Sequence, residues 1–137
     1  MKESKIWRRI FIGLLGLQAV VELVLGLALL FSFPATVESG FGITYTSDLD
    51  ILGIALGLYL LLLTALLVLS IFWTVKANYS GITIGVITGV FLILFGLVTF
   101  LQLGDTQALY VDSLRGLITV ALAYMANKEL KNKTQHA

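Results

Sequence analysis

Long uncharged apolar stretches separated by short polar segments dominate this chain. The longest covers residues 51–75, about 25 positions without a charge, led by Asp48 and Asp50 and closed by Lys76. At ~1.5 Å per residue, a helix of this length reaches about 37 Å, enough to cross a hydrocarbon layer of ~30 Å with some tilt. The pattern therefore predicts a membrane-spanning helix.

Three further apolar stretches repeat this pattern. The first, 6–33, is interrupted only by Gln18 and Glu22, and Pro34 is expected to stop its helix. The second helix is predicted at 49–75, the third at 79–103 and the fourth at 107–127. A loop at 34–48 and a polar, disordered tail at 128–137 complete the chain, so the whole sequence is predicted to form a single membrane domain.

The short links predict antiparallel neighbours, because a helix that leaves the membrane must turn back at once. We therefore predict an all-α fold: a polytopic membrane protein built as an antiparallel bundle of four transmembrane helices. The basic start followed by an apolar run resembles a signal peptide. The run is about twice as long as the apolar part of such a peptide, so we favour a membrane span.

The basic residues predict the orientation. With four spans, all of them except Arg115 fall on one side of the membrane, while the first and third connections carry only acids. The excess of Lys and Arg in cytoplasmic segments then places both termini in the cytoplasm and the protein in the cytoplasmic membrane. The residues that set this orientation are Lys2, Lys5, Arg8, Arg9, Lys76, Lys128, Lys131 and Lys133.

Composition agrees with a bilayer environment. Of the 137 residues, 58% are hydrophobic and 12% are charged, whereas a soluble domain carries about twice that charged fraction. The net charge of +1 gives no basis for nucleic-acid binding, so the expected partners are the lipid bilayer and other membrane proteins. The chain has no Cys, which excludes disulfides and thiolate chemistry.

Glycines recur along one stripe of the second and third predicted helices, and one more lies in the fourth. In a bilayer, helices gain little from hydrophobic burial against each other, so close approach at small residues is the main source of packing. We expect these glycines to form helix contacts, either within the chain or as the face of a homo-oligomer. They are Gly53, Gly57, Gly81, Gly85, Gly89, Gly96 and Gly116.

The charged residues within the spans form one predicted polar network. Glu22 lies about 16 Å below the outer end of the first helix, and Arg115 about 13 Å below the outer start of the fourth. Charges at this depth cost at least ~2.5 to 3.5 kcal/mol, so they should face the interior and pair. We predict a contact between Glu22 and Arg115, completed by Asp112, Gln18 or Tyr59. Either this pair fixes helix register, or it holds a ligand, a proton or an ion; Glu22 could also be neutral.

Acidic residues form a second group, an outer acidic rim of Glu38, Asp48, Asp50 and Asp105. We interpret the rim as a solvated face, with binding of a divalent cation as the alternative. No metal site and no cofactor are predicted. The only histidine, His136, lies in the tail, and no catalytic pattern is recognisable.

Two stretches resemble the DoxX-like superfamily of small four-helix membrane proteins. They are the glycine-containing end of the first helix with its aromatic-proline exit, LGLALLFSFP at 25–34, and the acid-led second helix, SDLDILGIALGLYLLLL at 47–63. Relatives often carry an arginine near the start of the second helix and an acid in the fourth, the reverse of Asp50 and Arg115 here. The resemblance implies a partner protein more than a reaction, since some members are accessory subunits of membrane oxidoreductases.

We therefore expect an accessory or scaffold subunit of a larger membrane complex, such as a respiratory one. The alternative is a binder or carrier of a small ligand, a lipid, a quinone or an ion, held by the polar network between the first, second and fourth helices. A lipid-modifying enzyme is a third reading, and it would require an open cleft at bilayer depth.

Overall fold

The computed structural model describes residues 5–40 and 42–135. Within these ranges every regular element is helical, which confirms the all-α prediction. The chain forms two compact units, one of residues 5–16 with 66–135 and the other of residues 17–65 apart from residue 41. Lys2 and His136, both named in the sequence predictions, lie outside the described residues.

Four helices have the length and the apolar composition needed to cross a bilayer. They are Ile6–Phe31, Ser47–Val75, Tyr79–Leu103 and Thr106–Gln135. The fold is therefore that of a multi-pass membrane protein, a bundle of apolar helices, as the hydropathy pattern predicted.

The first helix, α1, covers Ile6–Phe31 and ends in a bend at Ser32. The chain then forms a second, short helix, α2, over Phe33–Gly40, where a loop at 34–48 was predicted. This part of the prediction is corrected. Pro34 lies in the first turn of α2, where its missing N–H is tolerated and its fixed φ suits a helix start.

Hydrogen bonds and apolar contacts hold α2 at the bend. The Thr36 hydroxyl donates to the Ser32 carbonyl at 2.8 Å, and the Thr36 amide donates to the same carbonyl at 2.9 Å. Phe33 and Val37 pack with Leu29 of α1 in a buried cluster. A new helix therefore begins directly after the bend at Ser32, and the segment without helix shrinks to residues 42–46 of the described chain.

A turn of 3₁₀ helix at Ser47–Leu49 leads into α3, Asp50–Val75. This helix ends in a tight turn in which Ala77 adopts a left-handed φ of 56°. The Asn78 amide donates to Trp73 and the Ala77 amide to Thr74, at 2.9 and 3.0 Å, which is the Schellman pattern of helix ends. The chain reverses within a few residues, so α3 and the next helix are antiparallel.

The next helix, α4, covers Tyr79–Leu103, as predicted. Its start is capped by the Asn78 side chain, which accepts from the Ser80 amide at 2.9 Å. Its end is set by Gly104, which has a φ of 67° and occupies the left-handed position that favours glycine.

The last span consists of three consecutive helical segments. A short α-helical turn at Thr106–Ala108 is followed by a π-helical segment at Leu109–Ser113 and then by α5, Leu114–Gln135. The predicted helix at 107–127 therefore continues for about two further turns, and the disordered tail predicted at 128–137 is corrected for residues 128–135. Leu130 is buried and the Glu129 carboxylate accepts a hydrogen bond from α1, so tertiary contacts stabilise this polar end.

Candidate functional site

The charged pair of the last span lies at the π-helical segment. The Arg115 Nη2 atom donates to the Asp112 Oδ1 atom at 3.2 Å, and each side chain is 21% exposed. Within this span the pair neutralises two charges that would be costly apart in a bilayer. The segment itself is held by a wide hydrogen bond from the Leu114 amide to the Leu109 carbonyl, the spacing that defines a π-helix.

The π-helical segment is fixed against α4. The Ser113 hydroxyl donates to the Ile93 carbonyl at 3.0 Å. Gly96 faces Ser113 and Ala108 so closely that a methyl group added at Gly96 would lie 2.7 Å from the Ala108 carbonyl oxygen. The serine hydroxyl and the glycine together let the two helices approach, and they hold Asp112 and Arg115 at a defined place along α4.

The remaining contact of α4 with α5 also depends on glycines. A methyl group at Gly89 would lie 2.9 Å from the Gly116 carbonyl oxygen, and one at Gly116 would lie 2.8 Å from the Ile93 amide nitrogen. Backbone atoms cannot move aside as a flexible side chain can, so these two positions require glycine. The partners run in opposite directions along the chain, which shows that α4 and α5 are antiparallel.

Gly81 and Gly85 pack against α3 and α1 in the same unit. A methyl group at Gly81 would lie 2.6 Å from the Ser70 carbonyl oxygen, and one at Gly85 would lie 2.5 Å from the Phe11 ring. The Ser70 hydroxyl adds a hydrogen bond to the Gly81 carbonyl at 2.6 Å. A serine and a glycine thus join neighbouring helices here, as they do at the π-helical segment.

In the other unit, glycines of α3 face α1 and α2. A methyl group at Gly53 would lie 2.5 Å from the Phe33 ring, and one at Gly57 would lie 2.7 Å from Leu30 and 3.1 Å from the Gly26 carbonyl oxygen. All seven glycines proposed from the sequence therefore abut other parts of the same chain. A partner protein would have to use a different surface.

The polar residues of the first span are deeply buried. Gln18 and Glu22 are only 4% and 3% exposed and lie one turn apart on α1, as their spacing requires. Tyr59 lies on α3 of the same unit and is half-buried. Arg115 belongs to the other unit, and its contact with Glu22 stays a prediction.

The predicted acidic rim has several separate local roles. The Glu38 carboxylate accepts from the Tyr45 amide at 3.4 Å, and the Asp50 Oδ1 atom accepts from the Tyr45 hydroxyl at 2.7 Å. Asp48 is exposed. Asp105 caps the start of the last span by accepting from the Gln107 amide at 2.9 Å. Capping and hydrogen bonding within the loops thus account for three of the four acids.

The hydrogen bond to Asp50 affects the ionisation of Tyr45. Because the Tyr45 hydroxyl donates to this carboxylate, the pKa of the phenol lies above its ordinary value of 10.0. Loss of hydration and the negative charge of Asp50 shift it in the same direction. The phenol therefore stays protonated and remains a donor throughout the physiological range.

Sequence reasoning missed the interhelical hydrogen bonds of Ser70 and Ser113, and also that of Glu129. Its Oε2 atom accepts from the backbone amide of Arg8 at 2.9 Å, at the start of α1. A carboxylate in this place satisfies an amide that has no partner within its own helix and complements the positive end of the helix dipole. In the sequence Glu129 is flanked by lysines, as a solvated residue would be. Only its tertiary contact shows that it has a structural role.

The described residues contain no group of three or more His, Cys, Asp or Glu side chains that could hold a metal ion. The contacts described above are hydrogen bonds between helices and the intrahelical ion pair of Asp112 with Arg115. No family model, curated protein sequence or solved structure matches the chain.

Proposed function

We propose that the protein is an accessory subunit of a larger membrane assembly, with a structural and not a catalytic role. The observation that supports this proposal is the use of its polar side chains in joining helices. Ser70 and Ser113 donate to backbone carbonyls of α4, and Glu129 accepts from the start of α1. These hydrogen bonds stabilise the contacts between helices.

The surface available to a partner is apolar and includes open glycines on α1. A methyl group at Gly13 or Gly16 would meet no atom within 4 Å, in contrast to the seven packing glycines. Leu17, beside them on the same helix, is 66% exposed. Small residues that no neighbour covers let a helix of another protein approach closely, which is the main source of affinity in a bilayer. We propose this face of α1 as the docking surface.

The resemblance to the DoxX-like superfamily points to the same role, and a respiratory oxidoreductase is the class of partner that it suggests. The distribution of Lys and Arg favours the cytoplasmic membrane, with both termini in the cytoplasm. The open glycines then lie within the cytoplasmic half of the span, about 10 and 15 Å along α1 from its first residue.

The test is isolation of the tagged protein from its native membrane in a gentle detergent, followed by mass spectrometry of the proteins and lipids recovered. We expect one larger membrane protein in stoichiometric amount. Gly13→Leu should abolish its recovery, because the added side chain blocks close approach. Gly40→Leu is the matched control, since Gly40 is also open but lies at the end of α2.

Recovery of the protein without a partner would contradict the proposal, as would equal loss of the partner with both leucine variants. A protein recovered alone with one enriched small molecule would instead favour the ligand carrier.

A further inference from the structure

A groove lies beside the bend between α1 and α2. It has a volume of about 290 Å³ and is lined by Leu29, Leu30, Phe33, Pro34, Ile54 and Asp50. Among the residues that line it, only Asp50 has a polar side chain. Residues on both sides of the bend at Ser32 contribute to the lining, together with Asp50 and Ile54 of α3.

The groove extends from the membrane surface toward its interior. Asp50 is the first residue of a helix of 26 residues, which is about 39 Å long and exceeds the ~30 Å hydrocarbon layer. Asp50 therefore lies at the level of the lipid head groups. Ile54 lies about 6 Å further along the helix, toward the acyl chains. A molecule that fills the groove has a polar end at Asp50 and an apolar body beside Ile54.

The charge of this unit specifies the sign of the polar end. Residues 17–65 contain four acids, Glu22, Glu38, Asp48 and Asp50, and no Lys, Arg or His. The Asp50 carboxylate accepts one hydrogen bond from Tyr45. A carboxylate has about four lone-pair positions, so further donors can bind to it. The complementary group is a cation that carries N–H donors.

We propose that this groove binds a phospholipid with a primary ammonium head group, phosphatidylethanolamine, with the ammonium on Asp50 and an acyl chain along Leu30 and Ile54. The ammonium donates hydrogen bonds to the carboxylate, which the methylated ammonium of phosphatidylcholine cannot do. A head group of net negative charge, which lacks a cation to balance its phosphate, would meet only acids among the charged residues of this unit. The inference concerns a lipid and is independent of the proposed protein partner.

The test uses the purified full-length protein in mild detergent, mixed with equal amounts of phosphatidylethanolamine, phosphatidylcholine and phosphatidylglycerol of identical acyl chains. Native mass spectrometry then counts the lipids that each protein molecule retains. We expect phosphatidylethanolamine to be retained about tenfold over phosphatidylcholine, as a hydrogen bond to a charged group implies.

Two pairs of variants locate the site. Asp50→Asn should remove the preference, whereas Asp48→Asn should retain it, because Asp48 carries the same charge but does not line the groove. Ile54→Trp should fill the groove and lower retention, whereas Leu58→Trp, one turn further along α3, should not. A thermal melt of each variant shows that it is folded.

Equal retention of the three lipids, or preference for phosphatidylglycerol, overturns the proposal. Equal losses from Asp50→Asn and Asp48→Asn overturn the role of Asp50. Equal losses from the two tryptophan variants overturn the groove as the binding site.

Discussion

At the scale of single residues, the membrane interior assigns a different task to each kind of small or polar side chain. Glycine permits contact: Gly116 faces the Gly89 carbonyl and the Ile93 amide with no room for a methyl group. Serine connects: Ser70 and Ser113 each donate to a carbonyl of the neighbouring helix. The role of a residue depends on what lies opposite it. Gly13, unlike Gly116, faces open space.

This contrast predicts opposite effects of one substitution at two sites. Gly116→Ala should lower the free energy of unfolding by about 1 to 3 kcal/mol, because the methyl group meets backbone atoms of α4. Gly13→Ala should leave it unchanged or raise it by up to about 1 kcal/mol, since alanine has the higher helix propensity. Reversible unfolding in detergent measures both, and equal effects would contradict the assigned contacts.

The hydrogen bond between Tyr45 and Asp50 predicts how stability depends on pH. Its pKa is raised above 10.0 by the hydrogen bond to Asp50, so the bond's contribution to stability is complete below pH 10.0 and is lost as the pH rises through the raised value. Ultraviolet titration, with Tyr45→Phe subtracted, measures this pKa. Asp50→Asn should lower it toward 10.0, and an unchanged titration in that variant would contradict the hydrogen bond.

At the scale of elements, the apolar environment of the bilayer determines which segments form helices, whereas caps and tertiary contacts determine where those helices end. The four spans follow from hydropathy alone, because every backbone polar group in a bilayer needs a partner within the helix. The bounds of α4 followed equally well, since Asn78 and Gly104 are standard caps.

Other helix ends escaped prediction for physical reasons. Pro34 removes one amide but suits the first turn of a new helix, and burial of Phe33 and Val37 then favours α2 over a loop. The end of α5 was predicted to be a solvated tail because it is rich in lysine. In the structure Leu130 is buried, and this contact stabilises the helix there. The packing glycines could be predicted as a class, but their individual partners depend on the relative rotation of the helices, which hydropathy does not encode.

Glu129 provides a prediction for the start of α1. Glu129→Ala should destabilise the protein by about 1 kcal/mol, the usual effect of losing a helix cap, and Glu129→Gln by less, because the amide oxygen can still accept. Hydrogen exchange of the Arg8 amide should accelerate in the alanine variant. Lys128→Ala, which changes an exposed neighbour on the same helix, is the control and should leave that exchange rate unchanged.

At the scale of the whole molecule, the chain is a multi-pass membrane protein whose charges segregate along the sequence. The acids of the first and third connections and the lysines of the second connection and the C-terminal end predict two different aqueous surfaces. The absence of cysteine from the sequence makes this directly measurable, because each introduced cysteine is unique.

We predict that a membrane-impermeant maleimide labels Ser39→Cys and Thr106→Cys in intact cells, and labels Asn78→Cys and Lys133→Cys only after the cells are opened. Ser39 lies in the first, acidic connection and Thr106 directly follows Asp105 of the third, whereas the second pair lies beside the basic segments. Labelling of all four positions in intact cells, or a reversed pattern, would contradict the proposed orientation.

We propose that the protein acts by contact with another membrane protein through the open face of α1. Photo-crosslinking in living cells tests it most directly, with a light-activated amino acid placed at Leu17 or, as controls, at Leu62 and Val98, which are similarly exposed on α3 and α4. We expect a covalent adduct with one membrane protein from Leu17, the same protein that is recovered with the intact complex. Adducts with lipid alone from Leu17, or equal yields of unrelated proteins from all three positions, would contradict it.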